Sequence, residues 1–303
     1  MKVAVIGARR QNNGIGAYIS RFFHEEGARV VSVMGTTRDT AIAAAAGLKQ
    51  FGIQARAYTD ISEMIGHEAP DAVVIASPVG LHHEYVLKCI DAGIHIFCEK
   101  PFVWLENTDL ADELAAIFFK AEQKGLIIAM NSQWPFSLPW YEELCGKLGG
   151  QKIDRFFMRL SPQCNGPEMI VDSVPHALSL LYHVLGQVEI RDVDVDSPSE
   201  EMAIRFKYGT MCDAHISLVR QQQQPRSFAY GFNGRVVSRQ IALRDYRISF
   251  TSGNRHVEIT DPLKLSVRDF ISAWQNNKKP LINNDHIIWT TMLLRQIYNE
   301  CIA

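Results

Sequence analysis

Five continuous apolar runs, separated by helical patterns, constrain the first 130 residues of this chain more than any other feature. The runs are 2–6 (KVAVI), 29–34 (RVVSVM), 72–76 (AVVIA), 94–98 (IHIFC) and 126–130 (LIIAM). Unbroken apolar runs of this length suit strands covered on both faces, where an alternating pattern would mark a strand wet on one side. Between them lie helical stretches from Tyr18 to Glu26, Thr40 to Phe51, His82 to Ala92 and Thr108 to Lys124. Strands alternating with helices predict a parallel sheet with right-handed crossovers. Ligands of such a sheet bind at the carboxyl ends of its strands.

Past about residue 150 the pattern changes. One helical stretch, 168–185, precedes strand-like runs at 187–195, 201–208, 211–219, 227–233, 236–243 and 246–251. Turn signals fall between several of them: Tyr208-Gly209, Asn233-Gly234 and Ser252-Gly253-Asn254. Consecutive strands with short turns predict an antiparallel sheet. Two helices close the chain, at about 263–276 and 285–302. The expected fold is thus α/β followed by α+β. Residues 1–131 are expected to form a first domain of doubly wound, Rossmann type. Residues 132–303 form a substrate and oligomerisation domain with an open, mainly antiparallel sheet flanked by helices. The last helix is free in this reading to pack back on the first domain. A single helix layer leaves one face of the second sheet to water or to another subunit, so a homodimer or homotetramer is expected.

The segment GARRQNNGIG, residues 7–16, follows the first apolar run and opens a helix. A glycine loop there aims free N–H groups and the positive helix end at a pyrophosphate. Gly7, Gly14 and Ile15 would form the loop, and Arg9 and Arg10 in its insert offer cations to phosphates. The spacing is not G-x-G-x-x-G, and no Gly-Lys-Ser/Thr of a P-loop follows. These residues alone leave a plain strand-to-helix turn open. After the second run, an acid for a ribose 2′-hydroxyl is missing; Gly35 stands there, followed by Thr36, Thr37 and Arg38. Hydroxyls and a guanidinium suit a 2′-phosphate, which predicts NADP in preference to NAD. A helix start capped by Thr37 or Asp39 is compatible with this.

The formal net charge of −2 carries no basic surplus for nucleic acid, and no apolar run is long enough for a membrane. Met1-Lys2 leads straight into the first strand, so a cytoplasmic protein without a signal peptide is expected. The six cysteines form no CxxC pair and read as reduced thiols. The ten histidines include no HExxH, and no catalytic metal is expected.

The stretch ASPVGLHHEYVLKCIDAGIHIFCEKP, residues 76–101, resembles the Gfo/Idh/MocA family of oxidoreductases, relatives of glucose–fructose oxidoreductase and inositol dehydrogenase. Ala76, Ser77, Pro78 and His82, then Gly93, His95, Glu99, Lys100 and Pro101, match its motifs. Asp172-Ser-Val-Pro-His176 matches its D-x-x-x-H. The resemblance implies hydride transfer between a nicotinamide and a hydroxylated small molecule such as a sugar or cyclitol. It places Ser77, Pro78, His82, Glu99, Lys100 and Asn131 at the cofactor, with Lys100 just past the fifth strand. Lys100, Asp172 and His176 become the catalytic group, and the Lys100–Pro101 bond is expected to be cis. Relatives that reduce a C=N bond or a linear tetrapyrrole, and a nicotinamide-binding regulator without turnover, are the alternatives. There are departures. Val79 replaces the usual Asn, Ser179 stands where an Asp is common, and Glu168 to Val171 replace glycines. Pro175 favours the first turn of a helix, which points to Ser173 as its cap and to Asp172 just outside it. Trp134, Phe136 and Trp140 are available to wall a substrate cleft.

Overall fold

The computed structural model describes residues 1–8, 15–106, 109–197, 200–242 and 246–303. They divide into two compact units, one of Met1–Asn131 with Leu263–Ile288 and one of Ser132–Pro262 with Trp289–Ala303.

The first unit holds a parallel six-stranded sheet in the order β3-β2-β1-β4-β5-β6. Its strands are β1 (Lys2–Ile6), β2 (Arg29–Met34), β3 (Arg56–Tyr58), β4 (Ala72–Ile75), β5 (His95–Glu99) and β6 (Ile128–Asn131). Helices α1 (Ile15–Glu25), α2 (Arg38–Leu48), α3 (Ile61–Glu68), α4 (His82–Asp91) and α5 (Leu110–Gln123) connect them. Every residue of β4, and all but the first of β1, β2 and β5, is buried or nearly so, which is why those segments read as unbroken apolar runs. β3 and α3 were not evident from the apolar pattern. β3 is an edge strand of three residues with only Tyr58 buried, too short for any periodicity to show. The strand order reverses beside β1, whose neighbours are β2 and β4. That switch point opens a crevice at the carboxyl ends of β1 and β4. Helix α8 (Pro262–Asn276) adds Leu263, Val267, Phe270 and Ile271 to this core. Phe270 meets both Phe23 and Phe97 edge-to-face, at 6.0 and 5.5 Å.

The second unit carries an eight-stranded sheet in the order β14-β13-β12-β11-β7-β10-β9-β8. Six strands answer to the predicted runs: β8 (Ile190–Asp196), β9 (Glu201–Tyr208), β10 (Cys212–Val219), β11 (Ala229–Phe232), β12 (Arg235–Ala242) and β13 (Arg247–Ser252). Two more were missed, β7 (Arg155–Leu160) and β14 (Arg255–Ile259). β7 is central and pairs parallel to β10, so the sheet is mainly but not wholly antiparallel. Asn233-Gly234 forms the two-residue turn between β11 and β12, with φ of 50° and 76° at its two positions. Both values fit the primed turn that the Asn-Gly signal demands. α6 (Leu138–Cys145) packs on β12 to β14, and α7 (Glu168–Leu185) on β7 and β10. α9 (Asn284–Ile302) ends the chain.

α7 corrects the expectation for its start. Pro175 lies inside the helix, and Asp172 is its fifth residue, not a residue outside it. Ser173 does not cap it; its Oγ donates to Asp172 Oδ2 at 3.0 Å. Burial explains why the proline is tolerated. From Met169 to Leu181 every residue is buried except Asp172 and His176, and that packing outweighs one lost backbone hydrogen bond.

Candidate functional site

The glycine loop begins where β1 ends. Gly7 has φ of +83°, and its N–H donates to the Met34 carbonyl at 3.1 Å. A Cβ on Gly7 would lie 2.5 Å from the Ala76 carbonyl oxygen, and one on Gly16 2.8 Å from the Gly7 carbonyl oxygen. β1, the start of α1 and the end of β4 therefore close on each other with no room for side chains. That bare backbone is what a pyrophosphate needs at a helix N-terminus. Ile15 opens α1; Arg9, Arg10 and Gly14 lie outside the described residues.

At the end of β2, Gly35 has a structural reason to lack a carboxylate. A Cβ there would lie 2.7 Å from both Ala41 N and Thr40 Oγ1. Thr37 caps α2 in a reciprocal box with Thr40, accepting from its N–H at 3.2 Å. Thr36 and Arg38 are exposed, and among the described residues Arg38 enters no ion pair.

The ends of β5 and β6 bring polar groups together in an apolar setting. Glu99 and Asn131 are paired in register and buried, and Asn131 Nδ2 donates to Glu99 Oε1. Asn131 Oδ1 is buried with no donor among the described residues. Lys100 follows at the strand's carboxyl end, half-buried, and its bond to Pro101 is cis. His82 is buried with Nδ1 2.9 Å from the Pro101 carbonyl oxygen and Nε2 3.0 Å from that of Ser77. A neutral imidazole can donate to only one of the two. Its ring nitrogens thus face backbone, so His82 ties the loops after β4 and β5 together and positions Ser77, Pro78 and Lys100. The fit to a dinucleotide is good on this unit's own atoms: a side-chain-free cradle at one end, and an unspent buried acceptor at Asn131.

In the second unit, Asp172 and His176 stand one turn apart as the two partly exposed residues of a buried stretch of α7. Ser132 Oγ lies 3.5 Å from His176 Nδ1, and Trp134 meets the imidazole edge-on at 6.3 Å. Trp134 stacks on Phe228 with ring centroids 3.6 Å apart. Arg239 lies over both rings, and Arg226 carries its charge near Asp172. Ser132, Phe228, Arg226 and Arg239 were not singled out from the sequence. Arg226 lies just past the glutamines of 221–224 and Pro225, where no local pattern marks a buried position. Arg239 did leave a signal, since it shares a strand face with the apolar Val237 and Ile241.

The family model for oxidoreductases with an NAD-binding Rossmann fold, Gfo/Idh/MocA, matches residues 1–132. Residues 1–132 carry that family's NAD-binding domain. It is similar to 4-carboxy-2-hydroxymuconate-6-semialdehyde dehydrogenase of Sphingobium sp., at 24% identity over 84% of this chain and 85% of the relative. Over 30% of this chain it is 36% identical to the NADP-linked scyllo-inositol 2-dehydrogenase of Bacillus subtilis, spanning 26% of that protein. The solved UDP-N-acetylglucosamine 3-dehydrogenase of Acidithiobacillus ferrooxidans shares the fold across 99% of this chain and 97% of its own, with a TM-score of 0.74 at 18% identity. The chain is thus an oxidoreductase with a nicotinamide-dinucleotide domain. Among the described residues of this oxidoreductase, no helix is long and apolar enough to cross a membrane.

Proposed function

We propose that the protein transfers a hydride between NADP and an oxygen-bearing carbon of a hydroxylated small molecule of sugar or cyclitol type. The observation that carries this reading is the partial exposure of Asp172 and His176, four residues apart, within the otherwise buried stretch 169–181 of α7. Two ionisable side chains at the only openings of so apolar a stretch suit a ligand rather than bulk solvent. Oxidation of an alcohol releases a hydride from carbon and a proton from oxygen. The bound nicotinamide supplies or accepts the hydride at its C4. Lys100 polarises the substrate oxygen with its ammonium. His176 takes or gives the proton near neutral pH. Asp172 orients the substrate hydroxyls or the imidazole. A panel of alcohols with NADP⁺, and of the matching carbonyl compounds with NADPH, followed at 340 nm, tests the reading; no turnover with any member counts against it.

The preference for NADP is supported by the exclusion of any side chain at Gly35 and by the exposed guanidinium of Arg38 near Thr36, which enters no ion pair among the described residues. Thr37 contributes less, because its hydroxyl is spent on the helix cap. Arg38→Ala is expected to weaken NADPH by roughly 1.5–3 kcal/mol, the worth of a hydrogen bond to a charged group, and to leave NADH unchanged. Calorimetry with both cofactors reads the difference, and equal loss for the two would remove Arg38 from the 2′-phosphate site.

The same reading includes a homo-oligomer in a reducing, cytoplasmic setting. The alternating burial of β7, β9 and β10 leaves Phe157, Ala203 and Val219 accessible on the face opposite the core, among charged residues. The six cysteines are free thiols. Light scattering is expected to return a multiple of 34.2 kDa; a particle of that single mass at micromolar concentration would exclude assembly through this face.

A further inference from the structure

Two arginines of the second unit have no part in the proton chemistry, yet they belong to the cluster that holds His176. Arg226 Nη1 donates to the Ser161 carbonyl at 3.2 Å. Arg239 Nη2 donates to the Arg226 carbonyl at 2.9 Å. The Arg239 guanidinium carbon lies 5.5 Å from the Trp134 ring centre and 5.3 Å from that of Phe228. Trp134 in turn meets His176. The contacts run unbroken from Arg226 through Arg239 and Trp134 to the imidazole.

The charges in this cluster are poorly compensated. Among the described residues, neither guanidinium enters an ion pair, although the charge of Asp172 favours the cation at Arg226, and Tyr246 and Asp261 favour it at Arg239. Burial lowers the pKa of Arg226. It brings that of Arg239 down to about 10, with the like charge of Arg226 adding to the effect, and both remain cationic at neutral pH. Arg239 Nε, Trp134 Nε1 and Ser161 Oγ are buried without hydrogen-bond partners among the described residues. Gathering two partly dehydrated cations and several unspent donors is unfavourable unless an anion completes the set. The Arg239 guanidinium sits about equally far from the two stacked rings, and a guanidinium is a planar fork whose natural complement is a planar carboxylate.

We propose that Arg226 and Arg239 bind a carboxylate of the substrate, so that this oxidoreductase acts on a hydroxylated acid of aldonate or uronate type. The proposal rests on the reading of Asp172 and His176 as substrate-facing groups, and it narrows that reading from hydroxylated compounds to their acids.

The test is calorimetry of the NADP⁺-loaded protein with D-gluconate, D-glucuronate, D-glucose and D-glucose 6-phosphate. The two carboxylates are expected to bind at least tenfold more tightly than glucose. Arg226→Met and Arg239→Met should each weaken them by roughly tenfold or more and leave glucose and NADP⁺ unchanged. Arg239→Lys keeps the charge and most of the stem, guards against a folding defect, and should still lose most of the preference because the fork is gone. Equal binding of glucose and glucuronate, no heat from either acid, or a preference that survives the arginine variants would overturn the proposal. Tighter binding of glucose 6-phosphate than of glucuronate would overturn it in favour of a phosphate site. Binding is read without turnover, so the two readings fail separately. A carboxylate preference with no hydride transfer removes the catalytic assignment. Turnover of neutral sugars without the preference removes the carboxylate site.

Discussion

Lys100→Met is expected to lower kcat by roughly 10²–10⁴-fold, the usual contribution of a positioned acid–base group, while NADPH binding changes little. Lys100 stands at the carboxyl end of β5, next to the buried Glu99–Asn131 pair and before the cis proline. Methionine keeps the stem's length and apolar volume and removes the ammonium, so lost packing does not confuse the outcome. His176→Asn should fall in the same range. Asp172→Asn should cost less if the carboxylate only orients the substrate, and as much if it holds the imidazole tautomer. Its hydrogen bond from Ser173 is kept by an amide oxygen, which leaves the local structure intact. Steady-state kinetics on a true substrate, with cofactor binding measured in parallel, separates chemistry from cofactor affinity. A Lys100→Met enzyme with nearly wild-type kcat would reduce Lys100 to part of the cofactor cradle, and the proton donor would have to be found elsewhere.

The parts of this protein that sequence reasoning reached are those where one local rule decides the outcome. Fully buried strands must be apolar throughout, and β1, β2, β4 and β5 are so. A two-residue hairpin needs positive φ twice, and Asn233-Gly234 supplies it. What was missed depends on partners distant in sequence. β7 carries two arginines in RFFMRL, and nothing local says that it will sit at the centre of a sheet between β10 and β11. Arg226 and Arg239 gain their meaning from Trp134, about a hundred positions away, whose ring pairs with that of Phe228. Pro175 misled for the opposite reason. The local rule was sound, but the burial of its neighbours overrode it: the helix spans the expected 168–185, and Ser173 and Asp172 lie inside it. His82 belongs to the same class: the motif that contains it was legible, while its two carbonyl partners, at Ser77 and Pro101, are set by the fold.

The tightest of these local rules is at Gly7, and Gly7→Ala is expected to weaken both the fold and cofactor binding. Its φ of +83° would cost a side chain about 1–2 kcal/mol by itself. The added methyl would also sit 2.5, 2.7 and 2.8 Å from three backbone atoms at the end of β4, Ala76 O, Ala76 C and Ser77 N. None is the free end of a flexible side chain. β1 and β4 pair in register from Val3 to Ile6, so relief requires the two strand ends to part. Overpacking of a well-packed site adds about 1–3 kcal/mol, for a total of roughly 2–5 kcal/mol. Gly27→Ala is the matched control. It has nearly the same φ, +84°, but nothing within 4 Å of the new methyl, so it should lose only the conformational part. Urea unfolding of the two variants isolates the steric contribution as their difference. Gly16 is held by the Gly7 carbonyl, and a shift of Gly7 would also displace the start of α1, where the pyrophosphate is proposed to rest. NADPH binding should therefore fall at least tenfold in Gly7→Ala and stay unchanged in Gly27→Ala. If the two variants proved equally stable and bound NADPH alike, the close approach of β1 to β4 would not be what shapes the dinucleotide site.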